Sequence, residues 1–495
     1  MQNVKPAPFP TEYRKLMYSP VMVACKKAVV PLIRLVSDYC TIVVSIFLAI
    51  TIRERVLPLF FDFPPFPKIG EVYTYIVVPV AFIFFLQFDG LYKRRLVFWD
   101  MAGKVFKSTT YAMLFLLVLL YMTGDIKETS RTLMIVFWFI SFPALIISRY
   151  VIKKLLITLR LWQIPVILVG AGKTAELILA AFERDSGLGY EVVGLIDDNL
   201  QREAIFQQYP VIGSFSSAEV AIAETGIKDV LIAAPGLARE ELSQLIYRIQ
   251  PHVDNIVFVP DLFGIPVAGM ELETLYNEKA IMLRVRNNLA RWHNRLLKVI
   301  FDTIVSFVAI IAVLFVLGII AVLIYIDSPG PVIFAHNRIG HKGRSFPCYK
   351  FRTMVPNAEA MLRDYLQHNL AAQKEWEEEY KLKNDPRVTR IGRFLRRTSL
   401  DELPQFFNVL RGEMSLVGPR PIVRGEVSKY EEYINDYYLV RPGITGMWQV
   451  SGRNDIDYPE RVRMDSWYIR NWSMWIDIVI LLKTVKVVFN RKGAY

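Results

Sequence analysis

Apolar residues run almost unbroken over 35–52, 73–91, 108–124 and 132–150, each near the length that carries a helix across a bilayer, so four membrane spans are predicted. A polar, Pro-containing segment precedes the first run and no small-residue cleavage site follows it. The first span is therefore expected to remain as an anchor rather than leave as a signal peptide. A fifth run, Thr303 to Ile326, is uncharged for 24 residues, but both its flanks are basic. Arg284, Arg286, Arg291, Arg295 and Lys298 precede it; Arg338, Lys342, Arg344, Lys350 and Arg352 follow. A simple span would push one cluster outside, so a re-entrant helix near 301–326 is predicted, with Gly318 as the central residue available for a bend.

Between the fourth and fifth runs the pattern alternates. IPVILV at 164–169 fits a buried strand, Gly170-Ala171-Gly172-Lys173-Thr174-Ala175 a tight turn, and the residues to Arg184 a helix. YEVVGLI at 190–196 ends at Asp197, and strand-like runs at 228–234 and 255–260 flank a helical 239–249, which together predict a Rossmann-like domain. The glycine motif suits a dinucleotide site in which Asp197 meets a ribose hydroxyl, and it equally suits a cofactor-free turn that lets helix and strand pack closely. An NAD-dependent sugar dehydratase or epimerase would need a Tyr-x-x-x-Lys pair after that motif. The one such spacing, Tyr150 to Lys154, lies before it, at the end of the fourth span.

Charge orients the spans. Lys and Arg number six before the first span, three at 53–72, five at 92–107, two at 125–131 and four at 149–160, so the amino terminus and everything after the fourth span are expected in the cytoplasm. Over the whole 495 residues, 53% are hydrophobic, the formal charge is +12 and the mean hydropathy is +0.30. Those values fit a basic membrane protein that meets anionic lipid or phosphorylated substrates. The basic residues sit beside apolar runs and form no aromatic-interleaved stripe, so nucleic acid is not expected as a partner. Three cysteines and five histidines show no zinc or disulfide spacing. Asp38 is the main ionisable residue in the four spans, too little for a transporter path.

The carboxy-terminal third carries the candidate chemistry in Lys350-Phe351-Arg352, Arg396 to Glu402 (RRTSLDE), Gly418-Pro-Arg420-Pro421 and Arg441-Pro-Gly443. Several Arg and Lys around an Asp/Glu pair suit a polyanionic substrate with Mg²⁺, because guanidinium grips phosphate oxygens bidentately. Ser399 and Glu402 also have capping-box spacing, which predicts a helix start that would hold a nucleophilic carboxylate rigidly. Residues 357–383 fit an amphipathic helix.

KFRTM, NDPRVTRIGRFLRRTSLDELPQFFNVLRGEMSLVGPRP and VRPGITGMWQVSGRND resemble the bacterial sugar transferases, the polyprenyl-phosphate hexose-1-phosphate transferases. The four spans and the middle domain are similar to the family's large membrane form, typified by the undecaprenyl-phosphate galactose phosphotransferases. The resemblance implies transfer of hexose 1-phosphate (galactose or glucose) from a UDP-hexose to undecaprenyl phosphate. UMP would be released, through a phospho-aspartate intermediate, as the first membrane step of O-antigen, capsule or exopolysaccharide synthesis. It implies Asp401 as nucleophile, Glu402 as its Mg²⁺-binding partner and Asp465 near the metal. Lys350, Arg352, Arg396 and Arg420 would lie around phosphates, with Arg441, Gly443 and Arg453 on the nucleotide-sugar side. The family often has a proline in the re-entrant helix, which this sequence lacks.

The expected protein is thus a multi-pass enzyme of the bacterial inner membrane with a cytoplasmic catalytic domain. Residues 1–160 form an α-helical transmembrane bundle, 161–282 an α/β Rossmann-like domain, and 290–495 a mainly α catalytic domain with the re-entrant helix. Cofactor binding in the middle domain is not part of this expectation, and a homodimer through the spans or that domain is compatible with it. The alternatives are an NAD-dependent membrane sugar dehydratase or epimerase and a non-catalytic polysaccharide-assembly scaffold.

Overall fold

A computed structural model describes residues 20–62, 70–124, 130–184, 188–198, 208–260, 270–275, 280–285, 287–369, 372–373, 376, 382, 385–452 and 456–490. The chain divides into two compact units, one ending at Leu262 and the other beginning at Phe263.

The first unit opens with helices α1 (Pro20–Thr51), α2 (Val78–Phe88, after a π-helical turn at Tyr73–Val77), α3 (Phe98–Thr123) and α4 (Arg131–Thr158). Ala28–Leu59, Phe98–Thr123 and Arg131–Thr158 are long and apolar enough to cross a membrane. The run expected to span at 73–91 is a shorter apolar helix, Tyr73–Phe88, because Asp89 leaves helical geometry and Gly90 turns to φ +73°. Ile42, Phe82, Leu86, Val105, Ala112 and Leu145 form the core of the bundle. Hydroxyls join α1 to α4, where Ser37 and Thr41 each lie 2.9 Å from Ser148 Oγ. Asp38 is fully buried there and paired: Arg149 donates from Nε (3.1 Å) and Nη2 (2.5 Å), and Tyr92 Oη donates at 2.6 Å.

Strands β1 (Ile164–Val169), β2 (Tyr190–Ile196), β3 (Val211–Gly213), β4 (Asp229–Ile232) and β5 (Asn255–Phe258) form a sheet of order β3-β2-β1-β4-β5, parallel throughout. Helices α5 (Lys173–Arg184), α6 (Ala218–Thr225) and α7 (Arg239–Ile249) connect the strands. Ile167, Val169, Ile196 and Ile232 pack into one core and Leu168, Leu195 and Leu231 into another. Both faces are therefore covered, as the continuous apolar strands require. Gly170 turns at φ +96°, and a Cβ there would lie 2.7 Å from the carbonyl oxygen of Ala233. Asp197 does not wait at the sheet edge for a ribose. Its Oδ2 accepts the Ala171 amide at 2.5 Å, so a protein carboxylate holds the donor that would otherwise meet a pyrophosphate.

The second unit begins with an antiparallel pair, β6 (Glu271–Leu275) and β7 (Ala280–Arg284), separate from the parallel sheet. Helix α8 follows at Trp292–Asp327. It stays helical through Gly318, so the expected break there is not what the backbone does; without a proline nothing removes an intrahelical hydrogen bond. One stripe of α8 is buried, comprising Lys298, Asp302, Ser306, Ile320 and Ile324, whereas Phe307, Ile311, Leu314, Phe315 and Val322 are exposed. Phe301 and Val305 pack on Leu416, Val417, Tyr468 and Trp472, and Leu317 packs with Phe351 and Leu395. Both ends of the helix thus dock on the same domain.

That domain contains the hairpin β8 (Ile333–Ile339) and β9 (Ser345–Phe351), helices α9 (Ala358–His368), α10 (Arg390–Thr398) and α11 (Gln405–Leu410), a parallel pair β10 (Ser415–Val417) and β11 (Gly443–Thr445), and helices α12 (Tyr458–Arg470) and α13 (Met474–Asn490). Helix α9 covers the start of the amphipathic stretch expected at 357–383, whose remainder lies largely outside the described residues.

Candidate active site

Asp401 and Glu402 lie on a single 3₁₀ turn, Leu400–Glu402, between α10 and α11. The capping box expected from Ser399 and Glu402 does not form. Ser399 turns left-handed at φ +56°, ends α10, and makes no side-chain cap. Leu395, Leu400 and Leu403 pack against α8 and Phe351, which leaves the intervening carboxylates facing strand β9.

Lys350 and Arg352 alternate with buried Phe351, so both cations emerge on one face of the strand's end. Lys350 Nζ lies 2.6 Å from Glu402 Oε1 and 3.9 Å from Asp401 Oδ2, and this ammonium ties the dyad to the hairpin. Arg396, one turn before the dyad on α10, donates from Nε to Thr353 Oγ1 at 2.9 Å. Burial pushes the Asp401 carboxyl up to about 6; Lys350 pulls it down, Glu402 raises it and Arg396 pulls it down again. Desolvation dominates because only 13% of the side chain is exposed.

Arg352 is 9% exposed. It donates through Nη2 to the Ser328 carbonyl, while its Nε and Nη1 have no hydrogen-bond partner among the described residues. Gly330 makes room for it: a Cβ there would lie 2.5 Å from Nη1. Buried guanidinium donors without partners are costly and are what a phosphate oxygen would satisfy. Arg420 is exposed beside Trp448, with Cζ 6.0 Å from the ring centroid, and its field reaches Arg338 and Cys348 on the hairpin. Sequence marked Arg338 only as part of the basic flank of the fifth run and did not mark His336. Burial first, then Arg338 and Lys350, holds the His336 imidazolium pKa below its usual value, so this edge of the hairpin carries the site's positive field. Only the register, which pairs Phe334 with Lys350 and His336 with Cys348, brings them there.

Other expected residues fall elsewhere. Arg441 lies against Gly412, its nearest guanidinium atom 3.5 Å from a Cβ built there, and beside His341 at the hairpin's far end. Gly443 packs closely on the neighbouring backbone, since a Cβ there would lie 2.1 Å from the Gly418 amide nitrogen. The GPRP and RPG motifs meet because β10 and β11 pair, with Gly443 N donating to the Pro419 carbonyl at 2.8 Å. Gly443→Ala is therefore expected to lower stability by on the order of 3 kcal/mol, read as a fall in urea midpoint with the m-value unchanged. An unchanged midpoint would contradict the close approach. Arg453 lies outside the described residues.

Asp465, on α12, is 1% exposed and accepts Tyr430 Oη at 2.9 Å. Burial pushes its carboxyl up to about 8, and its Oδ1 has no hydrogen-bond partner among the described residues. Among the described residues no three of His, Cys, Asp and Glu converge as a cage. Mg²⁺ usually takes one or two carboxylates and completes its shell with water and phosphate oxygens. Asp401 and Glu402, already sharing one ammonium cation, fit that role.

Residues 293–491 match the bacterial sugar transferase family model and residues 87–260 a CoA-binding domain model. An undecaprenyl-phosphate galactose phosphotransferase of Salmonella typhimurium is 37% identical over 82% of this chain and 84% of its own length. A UDP-galactose-lipid carrier transferase of Erwinia amylovora is 38% identical over the same shares, 82% and 84%. A UDP-glucose:undecaprenyl-phosphate glucose-1-phosphate transferase of Xanthomonas campestris pv. campestris is 33% identical over 72% of this chain and 74% of its own.

Proposed function

Since the chain belongs to the bacterial sugar transferase family, we propose that it is an undecaprenyl-phosphate hexose phosphotransferase that works through a covalent intermediate on Asp401. The observation that carries this reading is one buried, ionisable carboxylate held beside Lys350, Glu402 and Arg396. The Asp401 carboxylate oxygen attacks the sugar-bearing β-phosphorus of the UDP-hexose, and the bond from that phosphorus to the UMP oxygen breaks. An oxygen of undecaprenyl phosphate then attacks the same phosphorus, displaces the aspartate and forms the lipid-linked pyrophosphate. Splitting the transfer in two lets the anionic acceptor arrive after anionic UMP has left.

Arg352, Arg396 and Arg420 grip phosphate oxygens in this scheme, and Lys350 offsets the charge of both carboxylates. Mg²⁺, held by Glu402 with Asp401, would neutralise charge growing on the departing UMP. Membrane attachment of the catalytic domain rests on the exposed apolar side of α8. Basic flanks at both ends and the docking of both ends on one domain favour entry and exit on the cytoplasmic side, without a sharp bend.

UMP release with UDP-galactose and UDP-glucose in parallel, each with undecaprenyl phosphate, tests the reaction and names the hexose. Release from neither sugar overturns the assignment. Asp401 must be ionised to attack, so kcat/KM is expected to fall about tenfold per pH unit below about 6 and to level off above 7. In Lys350→Met the limb moves to higher pH, because the cation that lowers the Asp401 pKa is gone. A limb unmoved by that substitution would contradict the Lys350–Asp401 coupling.

A further inference from the structure

The first unit contains a charged pocket that the transfer chemistry does not use. It is a small, solvent-open pocket where α1, the turn after α2 and the end of α4 meet. Arg34, Arg94, Arg149 and Lys153 line it against a single carboxylate, Asp38. That carboxylate is already committed: both its oxygens accept Arg149, and one also accepts Tyr92. Among the described residues Arg34 donates to main-chain carbonyls, those of Leu91 and Tyr92, and its guanidinium carbon lies 5.4 Å from the centroid of Trp162, another lining residue. Lys153 Nζ reaches the Leu96 carbonyl at 3.3 Å, and Arg94 is exposed at the rim. Gathering cations this closely in a partly desolvated place is unfavourable unless an anion offsets them.

The positive-inside count puts this end of the bundle at the cytoplasmic headgroup level, where basic pockets between helices take phosphorylated headgroups. We propose that this pocket binds one phosphate group carried by a membrane lipid, with Arg34 and Lys153 as direct donors and Arg94 closing the rim. Asp38 and Arg149 form its neutral floor. The chemistry is a phosphate mono- or diester beside an aliphatic wall, which both anionic phospholipid and polyprenyl phosphate supply.

The test uses the full chain in phosphatidylcholine micelles with a rising fraction of phosphatidylglycerol, with retained lipid counted by native mass spectrometry. One phosphatidylglycerol per chain is expected on wild type, held at least tenfold more weakly by Arg34→Gln/Lys153→Gln. Arg94→Gln removes an exposed side chain and leaves the helix packing in place, so it is expected to weaken retention severalfold at an unchanged melting temperature. Repeating the count with undecaprenyl phosphate shows which lipid is preferred, and displacement by millimolar inorganic phosphate shows that the free ion also enters. Wild type that retains no lipid, or Arg94→Gln and the double variant retaining as much as wild type, would overturn the proposal.

Discussion

Asp401→Asn is expected to abolish hexose phosphate transfer, by at least roughly 10³-fold in kcat, while making the protein more stable. The two effects have one cause. Folding buries this carboxyl and raises its pKa to about 6, above the usual 3.8, so at pH 7 the folded state holds the anion less favourably than the unfolded chain does. The amide is neutral and close in shape. Its gain is bounded at about 3 kcal/mol by the pKa difference and is expected on the order of 1–2 kcal/mol once the remaining exposure is allowed for. The sign carries a pH signature. Wild type binds the proton more tightly folded than unfolded, so it loses stability relative to Asp401→Asn as pH rises from about 4 to 6, and the gap is constant above 7. Urea unfolding at pH 4 and pH 7 measures this; an Asp401→Asn protein less stable than wild type at pH 7 would show that Asp401 serves structure rather than chemistry.

The second large effect falls on the joint between α8 and the catalytic domain. Lys298, on the buried stripe of α8, donates to Asp477 Oδ2 at 2.7 Å and to the Val417 carbonyl at 3.1 Å. Asp477, on α13, is fully buried and also accepts from Tyr468 Oη at 2.7 Å and Trp472 Nε1 at 3.1 Å. A turn further along α8, Asp302 accepts Ser415 Oγ at 2.7 Å. Every donor has an acceptor, so the network holds together; removing its one cation leaves two buried carboxylates facing each other. Lys298→Met is expected to cost 3–5 kcal/mol and to free the amino-terminal half of α8 from β10 and α13. Hydrogen exchange on α13 is the direct reading, with protection lost there before it is lost in α10. A variant in which both carboxylates are also neutralised, Lys298→Met with Asp302→Asn and Asp477→Asn, should recover much of the loss. Equal protection in Lys298→Met and wild type would contradict the role given to this cation.

What could be read from sequence divides along a physical line. Continuous apolar runs and the strand-turn-helix around Gly170 are local signals, and they placed the bundle helices and the parallel sheet. The dyad was legible because Asp401 and Glu402 are adjacent and embedded in a basic motif. Long-range pairings were not: Lys298 meets Asp477 across 179 residues, and no periodicity links them. Backbone conformation was equally hidden. Capping-box spacing at Ser399 and Glu402 pointed to a helix start, yet a left-handed Ser399 turns the dyad toward Lys350. The backbone constraint on Gly443, its close approach to Gly418, becomes visible only once β10 and β11 pair. The Asp465 carboxylate shows the same limit, since nothing local to it announces Tyr430.

On the proposed route Asp401 carries the sugar phosphate between donor and acceptor. The most direct measurement is intact-protein and peptide mass spectrometry of the purified full chain after mixing with UDP-galactose, or UDP-glucose in parallel, and Mg²⁺, with no prenyl phosphate present. The expected result is one hexose-phosphate adduct on the peptide containing Asp401, formed with stoichiometric UMP, discharged on adding undecaprenyl phosphate and absent from Asp401→Asn. No adduct and no UMP until undecaprenyl phosphate is added, at undiminished turnover, would contradict it and leave direct attack of the lipid phosphate on the UDP-hexose.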